Sequence, residues 1–184
     1  MGSAEGSRFM RCLPAILVGL LLAAPLAAQK QKREPLTEAQ VEQIREAGIY
    51  PPERVKLYTK FIDDRALAIK GLGVRANSPA RALRIDQELQ DLTALMDEFG
   101  SNLDVYSERK ADIRKALKPL TEATPRWLAI LRALPGEAGF DLARKEAIES
   151  AQDLDDQAKR LLQEQTDYFN QHKDEAGQDR AEPK

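Results

Sequence analysis

Between Ile85 and Leu120 the apolar side chains recur at alternating steps of four and three. The series is Ile85, Leu89, Leu92, Met96, Phe99, Leu103, Tyr106, Ile113, Leu117 and Leu120, with Lys110 its one polar member. A mean spacing of 3.5 residues keeps side chains on one face of an α-helix, whereas a strand would turn alternate residues to opposite faces. The phase continues through Thr124, Trp127, Leu131 and Leu134, past Pro119 and Pro125. A proline inside a helix costs about 3 kcal/mol and kinks the axis without erasing the pattern. The expectation is one long helix over 79–134, kinked near 115–125. The alternative is a true break that leaves 125–134 as a separate short helix.

Shorter periodic segments flank this seam. Val55, Tyr58, Ile62, Arg65, Ile69 and Leu72 share a face behind Tyr50-Pro51-Pro52, and prolines suit the first turn of a helix. Asn77-Ser78-Pro79 reads as a loop, an N-cap and a first-turn proline. After Leu134-Pro135-Gly136 the seam resumes at Phe140, Arg144, Ala147, Ala151, Leu154, Ala158, Leu161, Gln165 and Tyr168. Asp141–Lys145, Asp155–Lys159 and Asp156–Arg160 are acid-before-base pairs one turn apart, each worth about 0.2–0.5 kcal/mol when exposed. No β segment is evident. Predicted helices are 37–47, 52–74, 79–134 and 139–171, and the predicted fold class is all-α: an elongated antiparallel helical bundle or coiled coil around one long kinked helix. Helix 79–134 would be about 84 Å long at 1.5 Å per residue, so the helices on either side would meet end to end beside residue 101. Such a thin rod is expected to fold the 37–47 helix over its flank or to form a homodimer.

The N-terminus reads as an address. Arg11 precedes an apolar run from Leu13 to Leu22, and small residues close it at Ala27-Ala28. This is the order of a secretory signal peptide, so residues 1–28 are expected to be removed and residues 29–35 to form a linker. Met10 would give a more compact signal than Met1. The competing reading, an uncleaved anchor, is weakened by Pro14, Gly19 and Pro25 within a stretch shorter than the ~20 residues a spanning helix wants. Cleavage removes Cys12, the only cysteine, so the mature chain has no thiol for a disulfide or a thiolate metal site. It keeps 26 basic and 29 acidic residues, net −3. No broad field is expected from that balance, and the chain is read as binding no nucleic acid and, once the signal is cleaved, no membrane. After Lys173 no apolar period remains, and 173–184 is expected to be a disordered tail.

Leu36-Thr37-Glu38-Ala39-Gln40-Val41 opens the first helix. Thr37 is a good N-cap, Gln40 completes a capping box, and Gly48 ends the helix. This single L-T-x-x-Q box, Leu36 to Gln40, also resembles the repeated motif of the Spy/CpxP group of periplasmic helical proteins. The resemblance implies an exported helical chaperone or stress-binding protein.

Catalytic chemistry finds little to stand on. His172, the one histidine, sits at the edge of the tail. A di-iron bundle needs two Glu-x-x-His motifs, and zinc several His or Cys ligands. Asp153, Asp155 and Asp156 lack the glycine turn of a calcium loop and read as a solvated face. Ser78 is a cap; Ser101, Ser107 and Ser150 belong to no nucleophile elbow. No catalytic, cofactor-binding or metal residue is nominated, and no cofactor is implied. Four polar residues on apolar seams stand out: Arg65, Lys110, Arg144 and Gln165. Each either snorkels at an exposed edge or specifies register. For an antiparallel hairpin turning between Leu134 and Gly139, Lys110 should face Glu164 or Gln165. The functional expectation is a non-enzymatic structural or interaction protein of the cell envelope, exported to the periplasm or secreted, its protein partner unknown. The alternative is a chaperone of Spy/CpxP type.

Overall fold

The computed structural model describes residues 34–177. The expected signal peptide, residues 29–33 of the linker and residues 178–184 of the tail lie outside the described residues. The described chain is all-α, with five helices: α1 Glu38–Glu46, α2 Pro51–Gly73, α3 Pro79–Glu108, α4 Arg114–Arg132 and α5 Asp141–Gln171. The helix punctuation acts as its chemistry dictates. Thr37 Oγ1 accepts from the Gln40 N–H at 3.3 Å while Gln40 Oε1 accepts from the Thr37 N–H at 2.9 Å, closing the capping box on α1. Gly48 leaves α1 with φ +57°, a conformation that suits a residue without Cβ. Ser78 Oγ accepts from the Arg81 N–H at 3.2 Å and caps α3.

α2 packs on α3 and α4, α5 packs on the same two, and α1 lies on α2 alone. Side-chain pairs give the directions. Tyr58 with Glu98 and Arg65 with Glu88 set α3 antiparallel to α2. Ser150 with Asp97 and Gln157 with Asp104 set α5 parallel to α3. Thr124 with Asp155 and Ile113 with Gln165 set α4 antiparallel to α5. The four helices therefore close a ring in the order α2, α3, α5, α4, with the consecutive helices α3 and α4 on a diagonal. Its interior is formed by the apolar members of the seam, Ile85 to Leu120, together with Val55, Ile62, Ile69 and Trp127, all buried. Ala143, Ala147, Ala151 and Ala158 bring α5 in close.

The long helix over 79–134 does not form. The chain turns back between Glu108 and Arg114, so the seam is divided there and not near 115–125, and residues 125–132 belong to α4 instead of forming a separate helix. Pro119 and Pro125 lie inside α4 on its exposed side, where water reaches a carbonyl that has lost its donor. The stop is at Lys110, in the left-handed conformation with φ +55°. The Ala111 N–H donates to the Tyr106 carbonyl and the Lys110 N–H to the Ser107 carbonyl, both at 3.0 Å. That is the Schellman pattern of a helix end. The spacing 106–110–113 conceals it, because the turn returns Ile113 to the core at the position a continuing helix would have used.

Left-handed backbone costs a side-chain-bearing residue about 1–2 kcal/mol. The Lys110 ammonium stacks 5.1 Å from the Tyr168 ring, worth roughly 0.5 kcal/mol at an exposed site. The backbone term is the larger, so Lys110→Gly should stabilise the fold by about 0.5–1 kcal/mol, read as a raised urea midpoint at unchanged slope.

The α4–α5 register also differs from expectation. Thr124 faces Asp155 rather than Glu149, because the turn takes the wider arc from Ala133 to Phe140. Lys110 makes no ion pair with Glu164, and Gln165 is engaged elsewhere. Of the three acid–base pairs, Asp141–Lys145 and Asp155–Lys159 form at 2.8 and 2.7 Å, whereas Arg160 turns to Glu164 at 3.8 Å.

Residues 173–177 form turns that fold onto the α3–α4 connection, where the Gly177 N–H donates to Asp112 at 3.1 Å. Asp112 also accepts from the Arg114 backbone N–H and is bridged by the Arg114 guanidinium at 2.7 Å. Those bonds, led by the Arg114 side chain, outweigh burial and hold its carboxyl below the ordinary value. A depressed carboxyl contributes stability above its unfolded pKa and loses it as pH falls through the folded one. Acidification below about pH 4 should therefore loosen the start of α4 and residues 173–177 before the core, measurable as early loss of amide protection at Gly177 and Arg114.

Candidate interaction surface

The near-neutral net charge conceals a segregation that the fold creates. α2 and α4 together carry ten Lys and Arg against four Asp and Glu; α3 and α5 carry six against fifteen. α2 and α4 are neighbours on one side of the ring, and α3 and α5 on the other. The bundle thus has a basic side and an acidic side, and the expectation of no broad field is corrected: cancelling charges on separate faces leave a dipole.

The basic side is also grooved. α2 and α4 run parallel, and small residues on α4 leave two clefts in line between them. One, of about 340 Å³, is lined by Lys56, Lys60, Asp63, Pro119, Ala123 and Arg126. The other, of about 310 Å³, is lined by Lys70, Val74, Ala129, Ile130, Ala133 and Pro135. Steps of three and four carry one stripe of α2 from Lys56 through Lys60, Asp63, Leu67 and Lys70 to Val74. The stripe carries Lys56 and Lys60 where α2 begins and exposed Leu67 and Val74, with Lys70 between them, where it ends: Leu67 is 52% and Val74 83% exposed. α1 does not reach this side. It packs on α2 toward α3, where Arg65 donates to the Pro35 carbonyl and pairs with Glu88 and Asp91.

The groove floor is held by Asp63, which accepts from the Trp127 indole N–H at 2.8 Å and from Arg126 at 3.0 Å. Burial alone would raise its pKa, but these two donors prevail and hold the carboxyl below its ordinary value. Trp127 is fully buried, so this bond locks α4 against α2 at the middle of the groove.

The polar seam residues are structural. Arg65 ties α1, α2 and α3 together; Arg144 donates to the Leu134 carbonyl at 2.9 Å and closes the α4–α5 turn. Gln165 is buried, accepting from the Ile113 N–H at 3.1 Å and donating to the Ala111 carbonyl at 2.9 Å. Lys110 is a turn residue. Asp155 does not belong to the solvated face assigned to it; it is buried and accepts from Thr124 at 2.5 Å. His172 stacks on Tyr168 at 4.2 Å. Ser101 donates to the Asp97 carbonyl, while Ser150 donates to the Asp97 carboxylate. Among the described residues no group of three or more His, Cys, Asp or Glu is placed to hold a metal ion. None of their helices is long and apolar enough to cross a membrane. Sequence reasoning missed the two-sided charge, although a count of charges helix by helix would have shown it once the helices were correctly divided. It also missed Arg81 and Asp63, whose carboxylate and indole partners, Glu137 and Trp127, lie far away in sequence.

Comparison with known proteins yields no match: no family model, no curated protein and no solved structure is significantly similar to this chain.

Proposed function

We propose that this chain is a non-enzymatic interaction protein of the cell envelope, and that its α2/α4 face holds a protein partner. The observation that supports the reading is the pair of aligned clefts between α2 and α4, with exposed Leu67 and Val74 beside them. Exposed apolar side chains beside a groove, interspersed with charge, suit a protein surface better than solvent. Export rests on the Arg11, Leu13–Leu22 and Ala27-Ala28 order of the N-terminus. N-terminal sequencing of the protein recovered from cells should begin near Gln29; an intact apolar segment held in the membrane fraction would overturn export. For the face itself, a photo-crosslinking residue at Val74 should trap a protein in the producing cells. The same group at Glu42 on α1 should not; equal trapping at both positions would overturn the assignment.

A chaperone of Spy/CpxP type is the second reading, favoured by further exposed apolar residues at the same end of the bundle, Leu83 and Leu142. Its L-T-x-x-Q residues act here as the cap of α1. A chaperone should suppress aggregation of an unfolding model protein at a stoichiometric ratio. A specific interaction protein should leave that aggregation unchanged.

A further inference from the structure

We propose that a second copy of this chain is the partner of the α2/α4 face, seated on it by its α3/α5 face and pointing the same way. The inference rests on the reading of α2/α4 as the binding face and adds what binds there. The α3/α5 face lies on the opposite side of the ring and is graded in the same direction. At the end where α3 and α5 begin, Leu83 and Leu142 are 58% and 70% exposed. That end is also where α2 and α4 finish, beside Val74 and Pro135. Below it the α3/α5 face is acidic. Asp97 and Asp104 reach across to Ser150 and Gln157, which places both carboxylates on the joint surface of the two helices. Glu146 and Asp153 lie one turn from Ser150 and Gln157 on the same stripe, both exposed.

Sliding one copy sideways onto the next, without inversion, sets Leu83 and Leu142 against the Val74 end of the groove. The same motion sets Glu146, Asp153 and Asp97 against Lys56, Lys60 and Arg126. An inverted copy would put acid against Leu67 and Val74 and leave Lys56 and Lys60 facing leucine, so the parallel arrangement is the one both faces favour. The contact is heterologous: it uses two different patches and leaves one of each free at the ends of the assembly. The homodimer expected for a thin rod had another motive, which the four-helix ring removes. The present contact follows from two complementary faces.

Sedimentation velocity of the protein as recovered from cells tests this. The wild type should associate at about 20 mM salt and weaken by tenfold or more at about 500 mM, as screening removes the charge pairing. Lys56→Glu/Lys60→Glu should be monomeric, and so should Glu146→Lys/Asp153→Lys, because each then carries one sign on both sides. All four positions are exposed, so circular dichroism should find both variants folded. Mixed together, the two variants should associate again, since each now complements the other. A monomeric wild type at both salts would overturn the proposal, as would a mixture that stays monomeric. If the wild type is monomeric while Val74 traps a different protein in cells, self-association falls and the binding reading stands. If Val74 traps nothing beyond the Glu42 control either, both fall.

Discussion

Replacing Gln165 by Leu is expected to destabilise the protein by about 2–5 kcal/mol, although a purely apolar seam would welcome the change. Among the described residues it is the Gln165 amide that bonds the Ile113 N–H and the Ala111 carbonyl, both in the buried connection where the chain doubles back. A buried backbone group left without a partner costs roughly 1–3 kcal/mol, and here two are orphaned together. Leu would recover some burial energy but cannot bond to either group. Urea unfolding should show a lowered midpoint at unchanged slope, while Gln163→Leu on the exposed side of the same helix should stay within about 0.5 kcal/mol. A Gln165→Leu variant as stable as wild type would mean that the turn satisfies its own backbone.

Arg81→Met should cost about 3–5 kcal/mol, the range for breaking a buried charge pair by removing one partner, with the lower end expected because Glu137 is partly exposed. One guanidinium reaches three acceptors. Nε donates to the Leu72 carbonyl at 2.9 Å, one terminal nitrogen to the Gly73 carbonyl at 2.9 Å, and the other to Glu137 at 2.8 Å. From the first turn of α3 it therefore covers the carbonyl end of α2 and anchors the α4–α5 turn. A cation at a helix C-terminus also meets the negative end of the helix dipole. Arg81→Lys keeps the charge but cannot direct donors to three sites at once, so it should recover less than half of the loss. Full recovery by Lys would assign the stability to charge rather than to the fork of bonds. Chemical denaturation of the three proteins side by side decides it.

Arg81 and Gln165 differ in how visible they are in the sequence. Gln165 interrupts an apolar seam and so announces itself, but the groups it serves are backbone atoms of a turn that the seam itself conceals. Arg81 sits in the first turn of a helix, where a basic residue carries no signal, and its partners come from the end of α2 and from the α4–α5 connection. Asp155 was misread for the same reason. Two neighbouring aspartates made it look like part of a solvated face, and only the approach of Thr124 from α4 makes it interior. The capping box at Thr37, the Ser78 cap and the exit at Gly48 were legible because each is completed within four residues.

The sequence by itself determined which apolar residues form the core and where most helices start. Those properties depend on 3.5-residue periodicity and on caps closed within a single turn, and both are local. It did not determine where the long seam folds. Ile113 occupies the same burial phase whether the helix continues or turns, so periodicity takes the same value in both structures. Only the tertiary structure decided that question, by supplying the Gln165 amide to a left-handed turn at Lys110. The same decision placed α4 beside α2 and α5 beside α3, and so sorted an almost neutral set of charges into a basic groove and an acidic face on opposite sides of one bundle.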